Sequence, residues 1–422
     1  MSGNKVIKNT VKLLSAGIIA QAIGILIYPI LTRLYAPEDF GLLNLFQSIG
    51  GVLALIATGE YQFAILLPKE ERKAEDCLFI GLTILLVIFT ICCLTIPFAR
   101  GIASIFHTPE LAEWYWMLTL FVFATGAWSI LNYWHTRHKN YTLASTYQVS
   151  KSILNAGMKW GAGLIGFVKG GLIVATVASA LLSLFFNVAR SIKQYNWGVG
   201  FFRKANKNTA VEYKNFPFFS LPKSLANYLS SNLPFLLLTP FFGLKEIGFF
   251  GMALTLSFMP INIIYNSIYQ VLFQEMSEKV NQKVSIIHVF RQFVGKTLSI
   301  VPPLFIILYF FLPSLTKLIL GDGWETTGVY IQYMLPWLLT SLIAGSTCFV
   351  TDIFMKQKGL LLFELVSLAA KGISLAIGIK MNGMGIAILG LSCVSFVVNT
   401  AQIVWFRSLI MNYERQIASE RK

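Results

Sequence analysis

Apolar runs long enough to cross a bilayer recur along almost the whole chain, and nothing else limits its fold so strongly. A hydrocarbon core is spanned by roughly 20 apolar residues in helical conformation. In that core each backbone N–H and C=O must be satisfied within the protein, so such runs are read as helices. Composition agrees: 55% of the 422 residues are hydrophobic and 13% are charged, about half the charged fraction of a soluble domain. Spanning segments are expected at 13–32, 41–67, 77–97, 113–134, 149–168, 170–189, 221–242, 247–272, 294–315, 328–351, 360–379 and 383–406. Pro29, Thr32 and Arg33 follow the first run where a cleavable leader would carry small residues, so that run is read as a helix that stays. The fourth is the most clearly bounded. Trp114, Tyr115 and Trp116 mark one headgroup level, and Tyr133 with Trp134 mark the other.

The formal charge of +15 would suggest nucleic acid in a soluble protein, but the placement of the cations says otherwise. Alternate loops are poor in Lys and Arg, holding only Arg33, Arg100, Lys169, Lys245, Lys317 and Lys380. Lys159 and Lys371 fall within spans. The rest of the 34 basic residues, with Lys151 at the inner edge of the fifth span among them, are counted with the other loops and the two termini. That asymmetry predicts cytoplasmic termini and makes the basic surplus a topological address. No nucleic-acid partner is expected. The five cysteines lie in or beside apolar runs without metal-ligand or disulfide-framework spacing, and no metal or cofactor is expected. His107, His135, His138 and His288 are scattered near span ends and are expected to face solvent or headgroups. Gly295-Lys296-Thr297 resembles the end of a nucleotide-binding loop, but Phe290 stands where its first glycine belongs.

The sequence also reads as a duplication. A shift of 207 residues places Thr32-Arg33-Leu34-Tyr35 over Thr239-Pro240-Phe241-Phe242 and Gly41 over Gly248. Span order and sidedness agree between the halves, and six spans per half keeps the repeats parallel. The expected fold class is therefore all-α integral membrane, with about twelve transmembrane helices in two parallel-repeat six-helix bundles around a central cavity. The lobes are expected at residues 1–210 and 211–422.

A charge at bilayer depth costs at least about 2.5–3.5 kcal/mol and so requires a partner or a wet cavity. Glu60 lies in the second span before its inner end, Lys159 near the middle of the fifth, and Glu364 and Lys371 share the eleventh. Arg33 caps the outer end of the first. Lys159, Lys371 and Arg33 are the candidate cationic groups of a cavity for an anion, and Glu60 and Glu364 the candidate ion-coupling carboxylates. Snorkelling to the headgroups is the competing reading of Arg33, and an internal ion pair that of Glu364. Asn227, Ser231 and Asn232 in the seventh span and Asn262, Asn266 and Gln270 in the eighth are candidate polar lining. Prolines 217, 222, 234 and 240 surround or interrupt the seventh span, which suits a bending, gating helix.

Leu31-Thr32-Arg33-Leu34-Tyr35-Ala36-Pro37-Glu38-Asp39-Phe40-Gly41 resembles the TRxxxPxxFG opening of polysaccharide biosynthesis flippases. Thr58-Gly59-Glu60-Tyr61-Gln62-Phe63-Ala64-Ile65-Leu66-Leu67-Pro68 is similar to the continuation in that family's second span. These are the Wzx-type O-antigen and capsule translocases of the multidrug/oligosaccharidyl-lipid/polysaccharide exporter superfamily. The resemblance implies a flippase in the bacterial inner membrane that moves an undecaprenyl-pyrophosphate-linked oligosaccharide by alternating access. It implies an H+ or Na+ gradient as the drive, and a polymerase and glycosyltransferases of the same pathway as associates. A drug/cation antiporter of the same superfamily would share the architecture. A membrane-embedded glycan polymerase or ligase would be expected to carry a large external catalytic loop, and the external loops here are short.

Overall fold

The computed structural model describes residues 17, 19–197 and 206–420. Residues 13–16 and 18 of the first expected span lie outside these, as do the basic residues Lys5, Lys8, Lys12, Arg203, Lys204, Arg421 and Lys422. The described residues form helices, turns and loops without a strand. The main helices are α1 (Ile19–Leu31), α2 (Pro37–Thr58), α3 (Glu71–Leu94), α4 (Glu110–Arg137), α5 (Tyr141–Leu164) and α6 (Gly171–Tyr195). They continue with α7 (Leu221–Asn281), α8 (Ile287–Leu320), α9 (Glu325–Thr347), α10 (Gln357–Lys380) and α11 (Met384–Glu420). Nine helices among the described residues are long and apolar enough to cross a membrane. One of these, 207–281, carries two of the expected segments, on either side of a break at Gly243 (φ 78°, ψ 172°). The break falls there and not at Pro222, Pro234 or Pro240, because only glycine adopts such a backbone readily.

The chain separates into two compact units, Met1–Gly248 and Phe249–Lys422. In the first, α4 packs against α2, α3 and α6, and α5 pairs with α6. Pro37 opens α2 at a position where its missing N–H costs nothing, and the Asp39 carboxylate accepts the Ala36 N–H at 3.0 Å. Gly59 and Glu60, both left-handed (φ 53° and 60°), end α2. Beyond that break Arg137, at the end of α4, donates to the carbonyls of Ile65 and Pro68 (2.9 Å each) and to Glu71 (3.1 Å). One guanidinium thus fastens the ends of α2 and α4 to the start of α3. The segment ahead of α7 is tied to the same end. Buried Asp76 accepts the Asn206 N–H (3.2 Å) and the Thr209 hydroxyl (3.1 Å), and Tyr61 donates to the Ala210 carbonyl (2.9 Å).

Three placements differ from the sequence reading. The fifth expected span begins at Tyr141, not 149, capped by Asn140. Its first turns are too polar to register as apolar, and Lys151 therefore sits well inside the helix instead of at the inner edge of the span. Because that helix ends at Leu164, Lys159 lies near its far end and not at its middle. His135 is wholly buried, with its ring nitrogens 2.8 Å from Asn187 Oδ1 and 3.0 Å from the Tyr195 hydroxyl. It faces α6, where two polar partners satisfy it.

Gly41 and Gly248 explain each other. A Cβ on Gly41 would overlap the Leu244 carbonyl, and a Cβ on Gly248 would overlap the Pro37 carbonyl. Pro37 and Leu244 are separated by the same 207 residues as the two glycines. Such a swap of contacts is the mark of elements related by a twofold axis.

In the second unit α9 packs against α8 and α11, and α10 against α11. Glu414 caps the start of α8, accepting the N–H groups of Ile286 (2.8 Å) and Ile287 (3.0 Å). Only 6% of the apolar stretch of α8 and 11% of that of α10 is buried within the protein, against 61% for the span that begins with α9. Ile306, Phe310, Leu318 and Ile373 stand more than half exposed. So much apolar surface is stable only against lipid, and the molecule is a multi-pass membrane protein.

Candidate functional site

Glu60 is 1% exposed, and its Oε2 has no hydrogen-bond partner among the described residues. It stands at the left-handed break that ends α2, with the Ser224 side chain of α7 against its carboxylate and Tyr133 of α4 within electrostatic reach. Gln62 beside it is also buried with an unpartnered Oε1. A buried ionised carboxylate with one oxygen unpartnered is costly.

Two lysines turned into the first unit lie on α5. Lys159 is 8% exposed. Its backbone carbonyl accepts the Tyr35 hydroxyl at 2.7 Å, which fixes this part of α5 to the turn after α1. Neither Lys159 nor Lys151, two turns earlier, has an ion-pair partner among the described residues. Between them Asn155 buries an Oδ1 that nothing donates to, and Tyr147, four residues before Lys151, buries an unpartnered hydroxyl. The Tyr147 ring stacks on Trp128 of α4 with centroids 3.4 Å apart, and the Lys151 Nζ lies 5.9 Å from the Tyr147 centroid. Tyr147 lies ahead of the expected start at 149, and Lys151 and Asn155, though inside the expected span, are not among the residues singled out there. The spacing of four from 147 to 159 was the signal that could have found them.

In the second unit Lys371 of α10 stands over the Trp337 ring of α9, 5.7 Å from its centroid. Glu364, half-buried on the same helix, lies within electrostatic reach of Lys371. Phe258 of α7 meets the same tryptophan edge-on (4.9 Å). Asn262 is half-buried, whereas Asn266 and Gln270 are exposed, and the three follow one another at steps of four. Tyr265 packs on Gly345.

The remaining candidates are less closely built in. Arg33 is exposed and donates to the Pro29 carbonyl of its own helix (2.8 Å). Asn227 and Ser231 are exposed and bond each other through the Asn227 carbonyl (3.2 Å). Asn232 is half-buried, accepting the Ser48 hydroxyl of α2 (3.2 Å) and donating to the Tyr228 carbonyl (3.0 Å).

The fold is that of known transporters. The chain superposes on a lipid II flippase, MurJ, in an inward closed conformation (TM-score 0.75, 12% identity, 96% of this chain and 92% of that one). It superposes as well on an inward-facing multidrug resistance MATE family transporter of the MOP superfamily (TM-score 0.70, 16% identity, 95% and 96%). A third likeness is to MATE in the bent conformation (TM-score 0.56, 14% identity, 98% and 96%). No curated protein sequence matches the chain. Residues 30–328 match the profile of a family described as polysaccharide biosynthesis protein, a stretch that holds the α2 opening, Glu60 and the α5 stripe. The chain belongs to that polysaccharide biosynthesis family.

Proposed function

We propose that the protein is a flippase for an undecaprenyl-pyrophosphate-linked oligosaccharide, an O-antigen or capsule repeat unit, acting by alternating access in the bacterial inner membrane. The observation that carries the reading is the pair of α5 lysines that no carboxylate offsets, in a chain whose family serves polysaccharide biosynthesis. Two cations at bilayer depth are retained at a cost of a few kcal/mol each, and an anionic cargo offsets that cost. A glycan cannot cross hydrocarbon cheaply, but a polar cavity carries it while the lipid tail stays in the bilayer.

In this reading the chain has twelve spans in lobes 1–210 and 211–422, and its termini are cytoplasmic. Arg33 and Lys371 add to the cationic lining, with Asn227, Ser231, Asn232, Asn262, Asn266 and Gln270 as its polar part. Glu60, with Glu364 as a second carboxylate, takes up H+ or Na+ and returns the carrier to its starting state. A polymerase and glycosyltransferases work on either side of the step. The likeness to a multidrug transporter favours drug/cation antiport as the second reading, but cationic cargo would be repelled by α5.

Deleting the gene and locating the lipid-linked precursor tests the proposal. Surface glycan is expected to vanish while complete repeat units collect on the cytoplasmic leaflet. Normal glycan with altered drug sensitivity would move the assignment to the antiporter.

A further inference from the structure

We propose that α5 carries a two-rung ladder on which the diphosphate of the lipid-linked cargo is first captured by Lys151 and then passed to Lys159. The inference rests on the flippase reading and names the residues and the order of contact within it.

Direction comes first. Tyr147 stacks on Trp128 of α4, and the Ser152 hydroxyl donates to the Ala20 carbonyl of α1 at 2.7 Å. One side of α5 therefore faces α4 and another faces α1. Each residue turns a helix by about 100°, so steps of four wind slowly, by about 40° each. Lys151, Asn155 and Lys159 fall on the arc between those two directions, turned into the unit and away from lipid.

Distance comes second. Eight residues separate the lysines, about 12 Å along the axis. Each lysine stem reaches several ångströms, so an anion leaving one ammonium comes within range of the next without losing charge compensation. The Asn155 amide stands at the midpoint with its oxygen unpartnered, and the buried Tyr147 hydroxyl is unpartnered below Lys151. Such groups cost free energy until a ligand, ion or water meets them.

Order comes third. Lys151 is nearer the end where Arg137 gathers α2, α3 and α4, the basic end that the flippase reading makes cytoplasmic. Lys159 is nearer the opposite end, where Tyr35 holds its carbonyl. Capture from the cytoplasmic leaflet therefore meets Lys151 first. A diphosphate carries enough charge to engage both rungs during the exchange, whereas a monophosphate is the weaker fit.

The full chain in nanodiscs and proteoliposomes tests this, with undecaprenyl diphosphate as the binding probe and its single-sugar conjugate as the translocation probe. Lys→Met changes remove charge while keeping volume, and burying methionine in place of an unpaired lysine leaves the fold intact. Lys151→Met is expected to weaken binding about tenfold with the saturated translocation rate held within twofold. Lys159→Met is expected to leave binding within twofold and to slow the saturated rate about tenfold. Lys151→Arg and Lys159→Arg are expected to retain most of both. Undecaprenyl phosphate is expected to bind at least tenfold more weakly than the diphosphate. Binding of the diphosphate by the unaltered chain with neither variant changed, or with both variants changed in the same parameter, overturns the ladder and leaves the flippase reading standing. A chain that binds neither lipid overturns the ladder, and the precursor's leaflet in the deletion strain then decides the flippase reading separately.

Discussion

Helices α5 and α10 answer to the fifth and eleventh expected spans, and both carry a lysine at least half-buried, yet they treat it differently. On α10 the charge is accommodated inside the protein: Trp337 presents its ring face to Lys371, and Glu364 lies on the same helix. On α5 it is accommodated only in part: the Tyr147 ring lies 5.9 Å from Lys151, but the helix holds no carboxylate, Lys159 has no such ring, and the Asn155 Oδ1 and Tyr147 hydroxyl have no hydrogen-bond partner among the described residues. In the proposed reading the α5 pair is the main cationic contact of the cargo and Lys371 the lesser one. A balanced lysine keeps a helix in place, whereas an unbalanced pair is completed by something that comes and goes.

Giving α5 the compensation that α10 already has attacks this contrast most directly. Asn155→Asp places a carboxylate between the two lysines and is expected to reduce translocation at least tenfold while raising thermal stability. Unchanged transport would remove the distinction between the helices. Next in size is the carboxylate of the first unit. Glu60→Gln is expected to uncouple transport, leaving exchange of the lipid across the membrane while abolishing its response to an imposed ion gradient. A response equal to that of the unaltered chain would assign Glu60 to structure alone.

The glycine pair gives a smaller, matched effect. Gly41→Val and Gly248→Val each force a side chain onto a carbonyl, and each is expected to cost about 1–3 kcal/mol in unfolding measurements, nearly equally. Unequal costs would break the twofold correspondence between the repeats. Smallest is the α10 side of the comparison. Trp337→Ala removes the ring beneath Lys371, worth about 1 kcal/mol beyond lost packing, and translocation is expected to fall no more than threefold. A loss as large as that for α5 would make Lys371 as important to the cargo as the α5 lysines.

What the sequence made legible followed from how each signal arises. Apolar runs report burial in lipid, so α3, α4, α6 and both parts of α7 fell close to their expected places, whereas α2 ends at Thr58, nine residues before the expected end at 67. The glycine pair was visible as a register of 207 residues, and its meaning emerged only when each glycine was seen against the other's strand of contacts. The start of α5 was hidden because a helix that turns a polar face into the protein loses the apolarity that would announce it. Lys151 therefore reads as a residue of the span's inner edge, and Tyr147 falls ahead of the expected start. His135 was misplaced for a related reason: histidine at the end of an apolar run looks interfacial, and only α6 supplies the Asn187 and Tyr195 that bury it. Glu60 was found because a carboxylate inside an apolar run stands out regardless of its neighbours. Its left-handed backbone and missing partner required the fold.

The most direct measurement of the central claim is leaflet exchange of a polyprenyl-diphosphate-linked sugar by the purified chain in proteoliposomes. Rapid exchange in the unaltered protein, lost when Lys151 and Lys159 are both replaced by methionine in a folded chain, is the predicted result. Exchange that survives the double replacement, or a protein that moves organic cations and leaves the lipid-linked sugar where it was, would contradict it.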